Sequence, residues 1–215
     1  MDRLHEIHTD SIYYDFKRIE ERAYLEKIKF FEKNKDRIEK LDIILSTEIW
    51  FYYSQSSFEV GDYRKYIKLS EILLPRVIEE NIYYFGSINV YETILFHKGA
   101  CHLNLEEFDE ADHIFSELVK IDKTNILYKR VFLQNQFAQK IRASQPIKLF
   151  SAVLFLLVLG CGFFEMLFIS PFYPELLTLV STTREYLILA LFGVVVLYSG
   201  YHYFIARRRL LRLLK

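Results

Sequence analysis

The run 149-LFSAVLFLLVLGCGFFEMLFIS-170 decides how this chain is read, together with its counterpart 186-YLILALFGVVVLYSGYHYFIA-206. Crossing a hydrocarbon core of roughly 30 Å takes about 20 helical residues at a rise of about 1.5 Å each, and both runs are that long. Only Glu165 in the first and His202 in the second carry ionisable groups. A strand reading fails, because an open sheet edge leaves backbone amides unpaired in lipid. The expectation is a hairpin of two membrane-spanning helices. Basic residues set its orientation. Arg142 and Lys148 precede the first run, Arg207, Arg208, Arg209, Arg212 and Lys215 follow the second, and the loop between them holds only Arg184. The positive-inside rule then puts both ends in the cytoplasm, with Arg207, Arg208 and Arg209 at the membrane interface. Phe163, Phe164, Phe168, Phe172 and Tyr173 at the outer end, and Tyr198, Tyr201, Tyr203 and Phe204 at the inner end of the second span, read as interfacial aromatic belts.

Outward from the hairpin, the charge balance of the 215-residue chain, 28 basic against 28 acidic residues, averages two unlike parts. Residues 146–215 carry seven basic and three acidic groups, which leaves 21 basic and 25 acidic for residues 1–145. A mildly acidic soluble part is not built to track a phosphate backbone, so nucleic acid is not an expected partner. Met1 to Asp10 are charged and lack the apolar core of a secretory signal, which predicts that the soluble part stays in the cytoplasm. Cys101 and Cys161 fall in a cytoplasmic helix and in mid-membrane, so no disulfide joins them. With only seven glycines and four prolines, long helices joined by short turns are expected. The organisation is therefore all-α, with a helical domain over 1–145 and a membrane hairpin with a basic tail over 146–215.

From Ser11 to Glu32, Ile12, Phe16, Ile19, Ala23, Leu25, Ile28 and Phe31 recur at threes and fours, the period of an amphipathic helix. Asn34-Lys35-Asp36 reads as an interruption, a second helical piece runs to about Leu45, and Ser46 and Thr47 are candidate N-caps for the next helix. Trp50, Tyr53, Ser54, Gly61-Asp62-Tyr63, Tyr66 and Leu73 then resemble one tetratricopeptide repeat, with its turn at Gly61-Asp62. Leu95, Gly99, Phe108, Ala111, Phe115 and Leu118 resemble a second, with its turn at Asn104-Leu105-Glu106. The resemblance covers about Thr47 to Lys123. It implies that small residues in the two helices of the second copy let the backbones approach, with Phe115 beneath. The first copy departs from the pattern, with Tyr66 at the position of Ala111 and Ser54 at that of Gly99, and the closing proline is missing near Lys123. The copies are offset by 45 residues, from Ser54 to Gly99, against about 34 in the family. About eleven residues are thus inserted, within Glu80 to Val90, either extending a helix or forming a loop over the groove. Asn125 to about Ala143 is expected as a capping helix that couples the domain to the first span.

The resemblance implies a concave groove that holds a partner's peptide or helix. Projecting the repeat positions assigns that groove to Phe51, Tyr52, Gln55, Phe96, His97, Arg130 and Gln134. The lysines and asparagines of the family's carboxylate-binding groove are absent at these positions, which favours an apolar or aromatic-tolerant protein ligand. The alternative is that the aromatics are core, since 35 Phe and Tyr must mostly be packing. His5 and His8 are three apart but have no third ligand, so no metal or other cofactor is expected. His97 and His102 point in different directions, and the Arg3/His8 spacing of small helical ribonucleases is a short pattern close to chance. Without a Gly-rich phosphate loop, nucleophile elbow, paired-Cys motif or HExxH, the chain does not read as an enzyme. Glu165 marks either an ion path or a polar contact that snorkels outward to Arg184. Gly160, Cys161, Gly162, Gly193 and Gly200 offer small surfaces for packing within the hairpin or in a homo-oligomer. Two functions follow. One is a membrane-anchored adaptor or scaffold whose helical domain binds a protein. The other is an oligomeric membrane effector or channel, a layout also found among membrane-perturbing accessories of prokaryotic defence systems.

Overall fold

The computed structural model describes residues 11–214. The described residues are all-helical apart from one short hairpin, and the chain divides into two compact units, Met1–Phe132 and Leu133–Lys215. The division falls inside the seventh helix.

In the first unit, residues 11–18 form α1 and Tyr24–Ile38 form α2. The amphipathic stretch from Ser11 to Glu32 is therefore two helices with a break over residues 19–23, and Asn34-Lys35-Asp36 lies within α2 instead of ending it. Asn34 is held there by donating from Nδ2 to the Phe30 carbonyl at 2.9 Å. The next helix, α3 (Ile43–Glu59), is capped by Asp42, whose carboxylate accepts from the Ile44 amide at 2.9 Å. Ser46 and Thr47 sit inside α3, and Thr47 Oγ1 donates back to the Ile43 carbonyl.

The turn between α3 and α4 (Tyr63–Glu79) comes at Gly61-Asp62. Gly61 takes φ +83°, a conformation that suits a residue without Cβ, and the Asp62 carboxylate caps α4. The inserted segment neither extends a helix nor forms a plain loop. It folds into a two-residue hairpin, β1 (Tyr84–Phe85) and β2 (Ile88–Asn89), with Tyr84 opposite Asn89 and Phe85 opposite Ile88. Gly86 turns it at φ +59°. Asn89 then caps α5 (Val90–Asn104), which pairs with α6 (Phe108–Ile121) across a turn where Glu106 occupies φ +61°.

Successive helices pack in order, α2 on α3, α3 on α4, α4 on α5 and α5 on α6, which makes a repeat-like helical bundle. Phe31, Trp50, Tyr53, Leu69, Leu73, Val77 and Phe85 are among the residues that build the main core. Phe31 stacks on Tyr53 with centroids 3.8 Å apart. Gly99 lies directly over Phe115, so close that a Cβ there would meet the ring at 2.7 Å. In the first helical pair, at the position that Ala111 holds in the second, the buried Tyr66 donates its hydroxyl to the Ile94 carbonyl at 3.4 Å and so joins α4 to α5.

Helix α7 (Ile126–Ala143) runs from the first unit into the second. In the second unit, α8 (Gln145–Phe164) is followed by a π-helical segment, Glu165–Ile169, and a short α9 (Ser170–Phe172). A 3₁₀ turn, Pro174–Leu176, leads into α10 (Leu177–Leu213). Two stretches, Lys148–Phe172 and Pro174–Leu213, are long and apolar enough to cross a membrane, and most of their apolar side chains are exposed, with few buried. The second is longer than the run 186–206. Leu177–Val180, expected in the loop, is the first turn of α10, so the connection shrinks to a few residues around Tyr173.

Candidate partner-binding pocket

Tyr52, Gln55 and Ser56 lie one to four residues apart on α3, so they project from one side of that helix. Together with Phe51, Thr93 and His97, and with Glu21, Tyr24 and Lys27 from the α2 side, they line a pocket of about 260 Å³. Ile88 of the hairpin and Glu59 at the end of α3 complete its wall. A second pocket of about 220 Å³ shares Glu21, Lys27 and Tyr52 and is closed by Phe16, Lys17 and Ile19.

The side chains differ in how far they are free to act. Phe51 is 1% exposed and packs edge-on to Tyr52 and tilted against Phe85, so it is a floor. Gln55 Nε2 reaches the Tyr66 hydroxyl at 3.5 Å, a long contact. Thr93 Oγ1 and Ser56 Oγ both donate to carbonyls of their own helices or caps, at 2.6 and 2.8 Å. His97 stacks on Phe58 with centroids 4.2 Å apart, and its Nδ1 is buried without a hydrogen-bond partner. Burial pushes its pKa down to about 4, so the ring is neutral at pH 7.

The cations are unequal too. Lys17 Nζ donates to Glu48 Oε1 at 2.6 Å, while Tyr13 donates to the other oxygen at 2.7 Å. Lys17 also lies 4.6 Å from the centre of the Tyr52 ring. Lys27 is 8% exposed, and its ammonium donates to the Glu21 backbone carbonyl at 2.7 Å. Among the described residues it makes no ion pair, and burial lowers its pKa ahead of a smaller opposing pull from the Glu21 charge.

Of the residues projected from the repeat pattern, Phe51, Tyr52, Gln55 and His97 therefore meet in one pocket. Phe96 turns the other way, toward Phe115 and Tyr128 at 6.5 and 6.0 Å. Arg130 is exposed on α7, and Gln134 belongs to the second unit. Lys27 was hidden in the sequence, where a lysine between Glu26 and Ile28 reads as solvent-facing. Its one signal is register: Lys27, Phe31 and Ile38 are all buried and share the inward side of α2.

His102 is held apart from His97, with Nδ1 2.7 Å from Glu107 Oε2. No cluster of three metal-ligating side chains occurs among the described residues, and Arg3, His5 and His8 lie outside them. Cys101 and Cys161 are free thiols. In the second unit, Glu165 Oε2 accepts from Arg184 Nη1 at 2.5 Å, where the π-helical segment faces α10. An apolar pocket of about 470 Å³ lies between Leu156, Gly160, Phe164, Leu179 and Thr183 of the two long helices. Arg208 lies over the Phe204 ring at 4.9 Å, among the basic residues that include Arg207 and Arg209. The chain matches no family model, no curated protein and no solved structure.

Proposed function

We propose that this protein is a membrane-anchored adaptor, with a tetratricopeptide-like helical unit that binds a protein partner and a two-span hairpin that tethers it. The observation that carries the reading is the joining, in one chain, of a bundle of helical pairs with an open pocket to two long helices whose apolar side chains face outward. The close approach of Gly99 to Phe115 supports the repeat identity, since that glycine and aromatic are the pair the repeat pattern requires. The role is one of binding, not catalysis. The basic residues Arg207, Arg208 and Arg209 support an orientation with both termini in the cytoplasm, at an inner membrane.

Phe51 is core, so its truncation would unfold the unit, and the test uses Tyr52 instead. A photo-crosslinking amino acid at Tyr52 should trap a discrete protein in cells, and Gln55→Ala should reduce that product. An equal yield from a crosslinker at the exposed Glu110, on α6, would refute the pocket as the docking site. Labelling from only one side of the membrane at cysteines placed near residues 20 and 211 tests the orientation.

The competing reading, an oligomeric membrane effector or channel, draws on a carboxylate in an apolar helix, Glu165. The mass of the detergent-extracted particle separates the two. A monomer or dimer supports the anchor. A closed ring of about six or more protomers supports the effector.

A further inference from the structure

We infer that the pocket between α2, α3 and α5 is a receptor for a single carboxylate carried on an apolar or aromatic body, with Lys27 as its counter-charge. This rests on reading the pocket as a binding site and adds the chemistry of what enters it.

An ammonium as buried as Lys27 ordinarily has a carboxylate beside it, because burying an unpaired charge costs far more than a backbone carbonyl returns. Lys27 has only the Glu21 carbonyl, which takes one of its three N–H donors, and the face of the Tyr52 ring, whose centre is 5.7 Å from the ammonium. It also forms part of the wall of both neighbouring pockets. His97, which lines the same pocket, has a buried Nδ1 without a hydrogen-bond partner. A buried lysine held only by a backbone carbonyl and a ring face, in one concavity with an unpartnered buried nitrogen, marks a site for a polar ligand.

The charge count selects the ligand. Lys17, the other cation of the pair of pockets, is already engaged by Glu48. His97 is neutral at pH 7 for want of solvation. Lys27 is the cation of the two pockets that has no ion-pair partner among the described residues, and a single charge suits a monoanion better than a doubly charged phosphate. The exposed carboxylates of Glu21 and Glu59 also line the pocket and repel every anion, a doubly charged one about twice as strongly as a monoanion. The remaining wall, Phe51, Tyr52, Tyr24 and Ile88, is aromatic and aliphatic, so the carboxylate must bring an apolar body with it. A free small acid and the acidic side chain of a partner's peptide both satisfy this chemistry.

The full chain in detergent tests it with three probes: 3-phenylpropionate, its neutral amide, and an acetylated and amidated peptide with one Glu beside a Phe. Saturation-transfer NMR reads binding, and isothermal titration reads affinity. The expected result is binding of 3-phenylpropionate about tenfold tighter than of the amide, the size of one charge-assisted hydrogen bond. Lys27→Met keeps the volume and should erase the difference between acid and amide, whereas Lys27→Arg should keep part of it. Tighter binding of the peptide assigns the carboxylate to a protein partner, and tighter binding of the free acid assigns it to a small molecule. Equal binding of acid and amide to the unmodified protein, binding of neither acid, competition by inorganic phosphate at equal concentration, or full retention in Lys27→Met overturns the inference. These measurements need no cellular partner. Failure of the crosslink at Tyr52 with acid binding intact would refute the adaptor alone.

Discussion

Replacing Gly99 by Ala tests the helix approach on which the repeat-like bundle depends. In open space the change stabilises a helix by roughly 0.5–1 kcal/mol, because glycine loses the most backbone freedom on folding. At Gly99 the added methyl would lie 2.7 Å from Phe115 Cε1, 3.1 Å from Phe115 Cδ1 and 3.1 Å from Ile114 Cγ2. Phe115 is fully buried, with Phe96 beside it, so its ring has no free volume to turn into. Overpacking a closed core costs about 1–3 kcal/mol, which offsets or outweighs the helix gain and leaves a net loss of up to about 2.5 kcal/mol. For a unit of this size that lowers Tm by about 3–5 °C per kcal/mol. Trp50, the one tryptophan, sits in the core of the same unit and reports its unfolding by fluorescence. The same change in a Phe115→Leu background should be neutral or stabilising, because the clash is with the ring. A Gly99→Ala protein more stable than the original would refute the close approach of α5 and α6.

Other perturbations follow from single groups. His97 has a folded pKa near 4 against about 6.5 unfolded, so its contribution is present at pH 7 and is lost as pH falls through that window, by about 2 kcal/mol at pH 5. Urea titrations at pH 5 and 7 should therefore differ more for the original than for His97→Gln, and equal differences would disprove the burial of a neutral ring. Gly61→Ala meets nothing within 4 Å, so its expected loss of about 1 kcal/mol measures the strain of a left-handed backbone alone. Arg184→Leu leaves Glu165 unpaired and should reduce resistance to SDS unfolding more than the double change Glu165→Leu/Arg184→Leu does. If the double variant is the weaker of the two, the pair is not coupled.

Much of the fold was legible in the sequence because its signals were local. Gly61-Asp62 and Asn104-Leu105-Glu106 marked the two helical turns, and the two apolar runs marked α8 and α10. The errors lie where distant contacts outweigh local propensity. Residues 19–23 contain no glycine or proline, yet the helix breaks there, and α1 is held to α3 by Tyr13 and Lys17 on Glu48, more than thirty residues away. Asn34-Lys35-Asp36 looked like a break but is an exposed turn of α2, where polar residues are tolerated. The pocket was half legible. Tyr52, Gln55 and His97 followed from repeat spacing, whereas Lys27 comes from a helix outside the repeat pattern and Phe96 follows a rotation about α5 that spacing alone does not fix.

The length of α10 bears on whether Glu165 serves an anchor or a pore. Its 37 residues extend about 55 Å, nearly twice a hydrocarbon core of roughly 30 Å. If the apolar run 186–206 occupies the core, the segment 177–185 emerges at one end and the basic segment from Arg207 to Leu213 at the other. Arg184 then stands at the boundary opposite the basic tail, and its ion pair holds Glu165 at the same level. A carboxylate that marks an ion path faces a bundle interior or a water-filled cavity. Here the partner is on the next helix of the same hairpin, so the charge is satisfied within one protomer before any assembly forms. The pairing gives the glutamate a partner in so apolar a stretch, because the two charges tie the end of the hairpin together, and a carboxylate already occupied in this way supports the proposed anchor more than the pore.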